Sequence, residues 1–223
     1  LILPVFGLVG QGLEKSVYII ETDSGGGSGF LIKDGEISFL MTNAHVLAGT
    51  KKFKAIGVQG GEMELTPFIQ VAGDGRDLVR IPVRVNGGLV AAPDIRLGEP
   101  IVVLGNSGGA RMVTHSRGKI LAVGPDRIEV SAAFIPGNSG GPVINKPEII
   151  SIEGTNSVPS PYLIGIVASY LTYTDTAVSK QTGQSRVVFE ENSGLAVVIP
   201  ADYILETIDT CFATANIKEA IRH

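Results

Sequence analysis

Short apolar and β-branched runs, each closed by glycine, proline or asparagine, recur from residue 16 to residue 199. A run too short for a helix and bounded by turn residues reads as a strand. The economical solution for such a chain is an all-β fold. Strands are expected at residues 16–22, 29–33, 38–42, 52–57, 77–80, 101–104, 119–123, 127–131, 143–145, 163–170 and 194–199. Glycine supplies 29 of 223 residues, nearly twice its usual share of roughly 7%, so many connections are tight turns. Asn86-Gly87-Gly88 and Gly124-Pro125-Asp126 carry that chemistry. Gly and Asn tolerate positive φ, and Pro presets φ near roughly −65°.

The period changes only after Pro200. Ile204, Ile208, Cys211 or Phe212, and Ala215 recur at helical spacing, and a proline suits the first turn of a helix. A C-terminal helix is expected over residues 201–215, with a tail at 216–223. Residues 86–99, rich in Gly and Pro and weakly periodic, divide the strands into two groups. Two packed barrels follow, the first spanning residues 12–90 and the second 96–200, within one domain over 1–208. Residues 146–161 and 172–192 are polar and rich in Ser, Thr or Pro, and are expected as surface loops.

Charge and composition remove several function classes. Eighteen Lys and Arg against 22 Asp and Glu leave a net charge of −4, which favours neither nucleic acid nor an anionic membrane surface. The longest uncharged stretch, 154–174, opens with Gly, Thr, Asn, Ser and two prolines, unlike the roughly 20 apolar residues of a membrane span. A soluble chain, cytoplasmic or periplasmic, is expected. Cys211 is the single cysteine, so no intrachain disulfide forms. No His-Glu-x-x-His and no paired cysteines occur among the three histidines and that cysteine, so neither metal nor cofactor is expected.

The strongest chemical signal is Pro136-Gly137-Asn138-Ser139-Gly140-Gly141-Pro142-Val143, a serine framed by residues that let backbone bend and approach a ligand. A serine hydroxyl is a weak nucleophile at neutral pH, so it needs a base for its proton and donors for the oxyanion it creates. His45, in Met41-Thr42-Asn43-Ala44-His45-Val46-Leu47, offers the base, and Asp77, opening Asp77-Leu78-Val79-Arg80-Ile81, offers its orienting acid. With Gly27-Ser28-Gly29-Phe30 upstream, this ordered set resembles the chymotrypsin-like serine endopeptidases. The resemblance is strongest to the high-temperature-requirement (Htr/Deg) branch and related bacterial trypsin-like peptidase domains, and covers residues 16–208.

That resemblance implies two packed six-stranded antiparallel barrels with the site in the cleft between them. It implies a serine endopeptidase acting on polypeptides through an acyl-enzyme: Ser139 attacks, His45 moves the proton, Asp77 orients the ring, and the N–H groups of Gly137 and Ser139 hold the oxyanion. It further places Ala133 near the base of the S1 pocket and Ser169 and Tyr170 along a wall. Without a carboxylate at Ala133, a small or medium apolar P1 side chain is expected. Two departures from trypsins stand out. Asn138 replaces the aspartate that binds a freshly cut N-terminus, and no Ile-Val-Gly-Gly start is present, so activation by that salt bridge is not expected. Val46 stands where secreted trypsins carry cysteine. No PDZ domain is expected after residue 208, and an oligomer or activating partner is not visibly encoded.

Other readings compete. Gly-Asn-Ser-Gly-Gly occurs a second time at residues 105–109, where Ala110-Arg111 rather than Pro-Val follows, and Ser107 is read as part of a turn. Ser139, Asp175 and His223 fit the chain order of an α/β-hydrolase, but that elbow needs a helix directly after the serine, and Gly-Gly-Pro-Val starts one poorly. Asp74 lies close to Asp77, and the apolar Leu78-Val79 favour Asp77. His115 and His223 are read as surface residues. A different class is a protease-fold scaffold, inactive or gated until a partner binds, motivated by the two polar segments flanking the expected cleft.

Overall fold

The computed structural model describes residues 13–72, 75–145, 150–152, 155–157, 160–178, 180–206 and 210–213. The first half contributes β1 (Val17–Thr22), β2 (Gly25–Asp34), β3 (Ile37–Thr42), β4 (Phe53–Gly57), β5 (Phe68–Val71) and β6 (Val79–Val83), with a single helical turn, α1 (Ala44–Leu47), after β3. The second half contributes β7 (Val90–Ala91), β8 (Pro100–Gly105), β9 (Thr114–Val123), β10 (Ile128–Val130), β11 (Pro142–Asn145), β12 (Ile150–Ile152), β13 (Thr155–Ser157), β14 (Tyr162–Val178) and β15 (Ser185–Pro200). A short helix, α2 (Ala201–Glu206), and β16 (Thr210–Ala213) follow. No helix among the described residues is long and apolar enough to cross a membrane.

Two antiparallel barrels result. In the first sheet the strands run β16-β5-β6-β3-β2-β1-β4. Residues 61–65 bridge its open side: Met63 N–H donates to Ala55 O at 2.8 Å, and Leu65 pairs with Val83. Alternation on β6 buries Val79, Ile81 and Val83, which meet Ile20, Leu31 and Leu40 inside. In the second sheet β11 pairs with both β8 and β14, closing a ring in the order β11-β8-β9-β10-β15-β14. Ile101, Val103, Ile120, Ile128 and Val198 fill it.

A third apolar cluster joins the barrels. Phe30, Met41 and Leu78 from the first pack with Leu104, Leu163 and Ile166 from the second, and Ile204 of α2 seals the cluster. The connector is bonded to both sides. Leu89 N–H donates to Leu31 O at 2.8 Å, while β7 pairs in parallel with the start of β14. These contacts fix how the two barrels pack against each other.

Three expectations are corrected here. The helix expected over residues 201–215 is described over Ala201–Glu206, and residues 210–213 are not helical but extend the first sheet by pairing with β5. Thr, Cys and Phe suit a strand, and β5 would otherwise be an open edge with unpaired backbone groups. Residues 172–192 form a long hairpin, not a loop: β14 and β15 stay paired out to Val178 and Ser185. Its Thr, Tyr, Val and Phe content is strand chemistry hidden under overall polarity. Within 146–161, β12 and β13 make a small hairpin. The expected tail at 216–223 lies outside the described residues.

Candidate active site

His45 sits on α1, directly after β3, where the chain leaves the first sheet for one helical turn. Asp77 lies two residues before β6, in the bend leading to it rather than in the strand itself. Because β3 and β6 are neighbours in the sheet, the end of one strand and the approach to the other come together. Asp77 then uses both carboxylate oxygens on one residue. Its Oδ1 accepts the His45 backbone N–H at 2.8 Å, and its Oδ2 lies 2.5 Å from His45 Nδ1. Asn43 Nδ2 donates to Asp77 O at 2.8 Å and ties the bend to the start of α1. Facing a carboxylate, Nδ1 is the ring nitrogen placed to donate, which in a neutral imidazole leaves Nε2 as the acceptor. The His45 side chain is 49% exposed and Asp77 32%, so the imidazole is open to solvent.

Ser139 lies in the turn between β10 and β11. Around it, Asn138 N–H donates to Ile135 O (3.0 Å), Gly140 N–H to Val167 O (3.1 Å) and Gly141 N–H to Asn138 O (2.9 Å). Among the described residues, the N–H groups of Gly137 and Ser139 donate to no protein acceptor. Within residues 137–141 they are the amides that donate to no acceptor among the described residues, whereas those of Asn138, Gly140 and Gly141 are used. Gly137 has φ +98°, and a Cβ there would lie 2.1 Å from Asn106 O, so only glycine fits on both counts.

Strand β2 couples the serine to the histidine. Ser28 N–H donates to Ser139 O at 2.8 Å, and a Cβ on Gly27 would lie 2.8 Å from Val46 Cγ2 and 3.0 Å from Ser139 O. The residue following His45 and the serine itself thus crowd the same glycine. No hydrogen bond links His45 to Ser139 among the described residues.

The remaining candidates are dispersed. Ala133 is exposed between buried Ala132 and Phe134, and Ser169 is exposed on β14. Tyr170 follows on that strand, its backbone paired with Ala196. His115 is exposed on β9 opposite Leu104. Asp175 lies far along β14, opposite Phe189 on β15. Asp74 and His223 lie outside the described residues. A strand, β11, and no helix follows the serine, which removes the hydrolase elbow. Reading the sequence missed Ser28, fully buried, whose hydroxyl donates to Gly137 O at 2.7 Å. It also missed that residues 105–109 pack on the serine turn. The repeated Gly-Asn-Ser-Gly-Gly was the available signal.

A double barrel with a carboxylate-bound histidine on one side of its cleft and a glycine-framed serine on the other is the design of trypsin-like peptidases. The chain belongs to the trypsin-like peptidase domain family, whose model matches residues 27–148. It is 29% identical over 151 residues to the "Probable periplasmic serine endoprotease DegP-like" of Rhizobium meliloti, covering 63% of this chain and 30% of that protein. It is 28% identical over 162 residues to the serine protease Do-like HtrA of Bacillus subtilis, covering 62% and 34%. The chain therefore spans about a third of the length of the curated relatives it matches. In fold it is similar to the serine endoprotease from Yersinia pestis, at TM-score 0.64 and 18% identity over 91% of this chain and 64% of that one.

Proposed function

We propose that the chain is a serine endopeptidase in which Ser139, His45 and Asp77 act as a triad on polypeptide substrates. The observation that carries this reading is the pairing of two features across one cleft. A carboxylate holds the histidine by ring and backbone, and the serine turn keeps the Gly137 and Ser139 N–H groups free. In the reaction, Ser139 Oγ adds to the scissile carbonyl while His45 Nε2 takes its proton. The tetrahedral oxyanion accepts from Gly137 N–H and Ser139 N–H. Collapse expels the amine, protonated by His45, and leaves an acyl-serine. Water, deprotonated by the same imidazole, then releases the acid and restores the hydroxyl. Ala133, Ser169 and Tyr170 are assigned to the substrate side of the cleft, with a small or medium apolar P1 residue.

A fluorophosphonate should label Ser139 in the folded chain, and Ser139→Ala should abolish both labelling and cleavage of unfolded protein followed by mass spectrometry. A folded chain that takes up no label at Ser139 would sink the reading. The second reading, a scaffold gated until a partner binds, draws on the missing His45–Ser139 hydrogen bond. Wild type and Ser139→Ala would then be equally inert alone.

A further inference from the structure

Residues 105–109 repeat the Gly-Asn-Ser-Gly-Gly of residues 137–141, and the two copies pack against each other. A Cβ on Gly105 would lie 2.9 Å from Asn138 Cα. Four hydrogen bonds link the two segments directly or through Ser28. Gly108 N–H donates to Pro136 O at 2.7 Å. Asn106 N–H donates to Ser28 Oγ at 2.8 Å, and that hydroxyl in turn donates to Gly137 O at 2.7 Å. Ser107 Oγ–H donates to Asn138 Oδ1 at 2.6 Å. An amide oxygen only accepts, so the proton in this last bond belongs to Ser107. The Thr114 hydroxyl lies behind, in hydrogen-bond contact with Ser107 Oγ and donating to Gly105 O at 3.2 Å.

Every peptide here is trans, so a C=O and the following N–H point in opposite directions. Turning Pro136 O onto Gly108 therefore turns Gly137 N–H away from residues 105–109. Asn138 is only 2% exposed, so its Oδ1 has no ready water to replace Ser107. The far end of the same loop is also held: Arg111, at φ +57°, has its Nε 2.5 Å from Glu21 Oε1 on β1, an ion pair without hydrogen-bond alignment.

Resting on the peptidase reading above, we propose that Ser107 is a positioning residue. It grips Asn138 and keeps the Pro136–Gly137 peptide in the orientation that leaves the Gly137 N–H free for the oxyanion. A neutral bond between two copies of one motif thus sets the oxyanion donor, and it touches neither His45 nor Asp77.

The test uses the full chain with Ser107→Ala and Ser107→Thr, the latter keeping the hydroxyl. Ser107→Ala should slow fluorophosphonate labelling of Ser139 roughly 10- to 100-fold, lower kcat with KM unchanged, and speed amide hydrogen exchange in residues 137–141. Ser107→Thr should restore all three. Asn138→Ala removes the same bond from its other end and carries the test should Ser107→Ala not fold. A labelled wild type with Ser107→Ala labelled equally fast overturns this inference and leaves the peptidase reading standing. An unlabelled wild type sinks the peptidase reading, and exchange then decides: faster exchange in Ser107→Ala supports the grip, and unchanged exchange overturns it.

Discussion

Gly137 shows how little room one residue can have. Its φ of +98° penalises any side chain, and the 2.1 Å approach of Asn106 O to a Cβ adds a collision with backbone. Relief requires the turn to move, and the turn carries the proposed oxyanion donors. Gly137→Ala should therefore lower kcat/KM by roughly 100-fold or more while the chain still folds, since losing one such donor typically costs on the order of 10²–10³. Steady-state kinetics on a peptide substrate, with circular dichroism for the fold, reads this directly. Wild-type turnover in the variant would show that Gly137 N–H is not an oxyanion donor. The glycine, the serine and the histidine could all be named from the motif. The partners that hold them could not, because the bonds made by Ser28 to Gly137, Asn106 to Ser28 and Ser107 to Asn138 span 109, 78 and 31 positions.

At the scale of elements, α1 depends on the turn that follows it. Asp23, just beyond β1, accepts from the Thr50 hydroxyl and from Lys51 N–H at 3.2 Å, fastening the segment after α1 to the first hairpin. The Thr50 hydrogen bond, with the Lys51 amide second, holds the Asp23 carboxyl below its ordinary value of 3.8. A carboxyl depressed on folding contributes its stability above the unfolded value and loses it as pH falls through the folded one. Asp23→Asn should lower stability near neutral pH, where the wild-type contribution is fully present, and flatten the acid limb of the profile below about pH 4. Urea midpoints measured between acid and neutral pH would show it, and parallel profiles for the two proteins would contradict it. The long β14–β15 hairpin and the late β16 belong to this scale too. Their runs of Thr, Tyr, Val and Phe carry strand propensity, but propensity does not say whether a neighbouring edge is free to pair.

For the molecule as a whole, the cluster shared by the barrels makes the cleft a product of both. Ile166 is fully buried there, next to residues drawn from each barrel and from α2. Ile166→Ala should cost about 2–5 kcal/mol through lost burial and an unfilled cavity, and lower one cooperative thermal transition by roughly 5–15 °C. Two transitions in calorimetry, with one unmoved, would mean that the barrels unfold separately. Local rules made much of this architecture readable: period-two burial, glycine turns and three ordered motifs point to two β barrels and to His45, Asp77 and Ser139 before any coordinates. Those signals act over a few residues, and a chain carries them openly. Other features arise only when distant backbone groups must find partners. The seating of one Gly-Asn-Ser-Gly-Gly copy on the other, the return of residues 210–213 to the first sheet, and the orientation of the Gly137 amide are of this kind. They depend on which donors and acceptors are left unpaired once the rest has packed, and that quantity exists only in three dimensions.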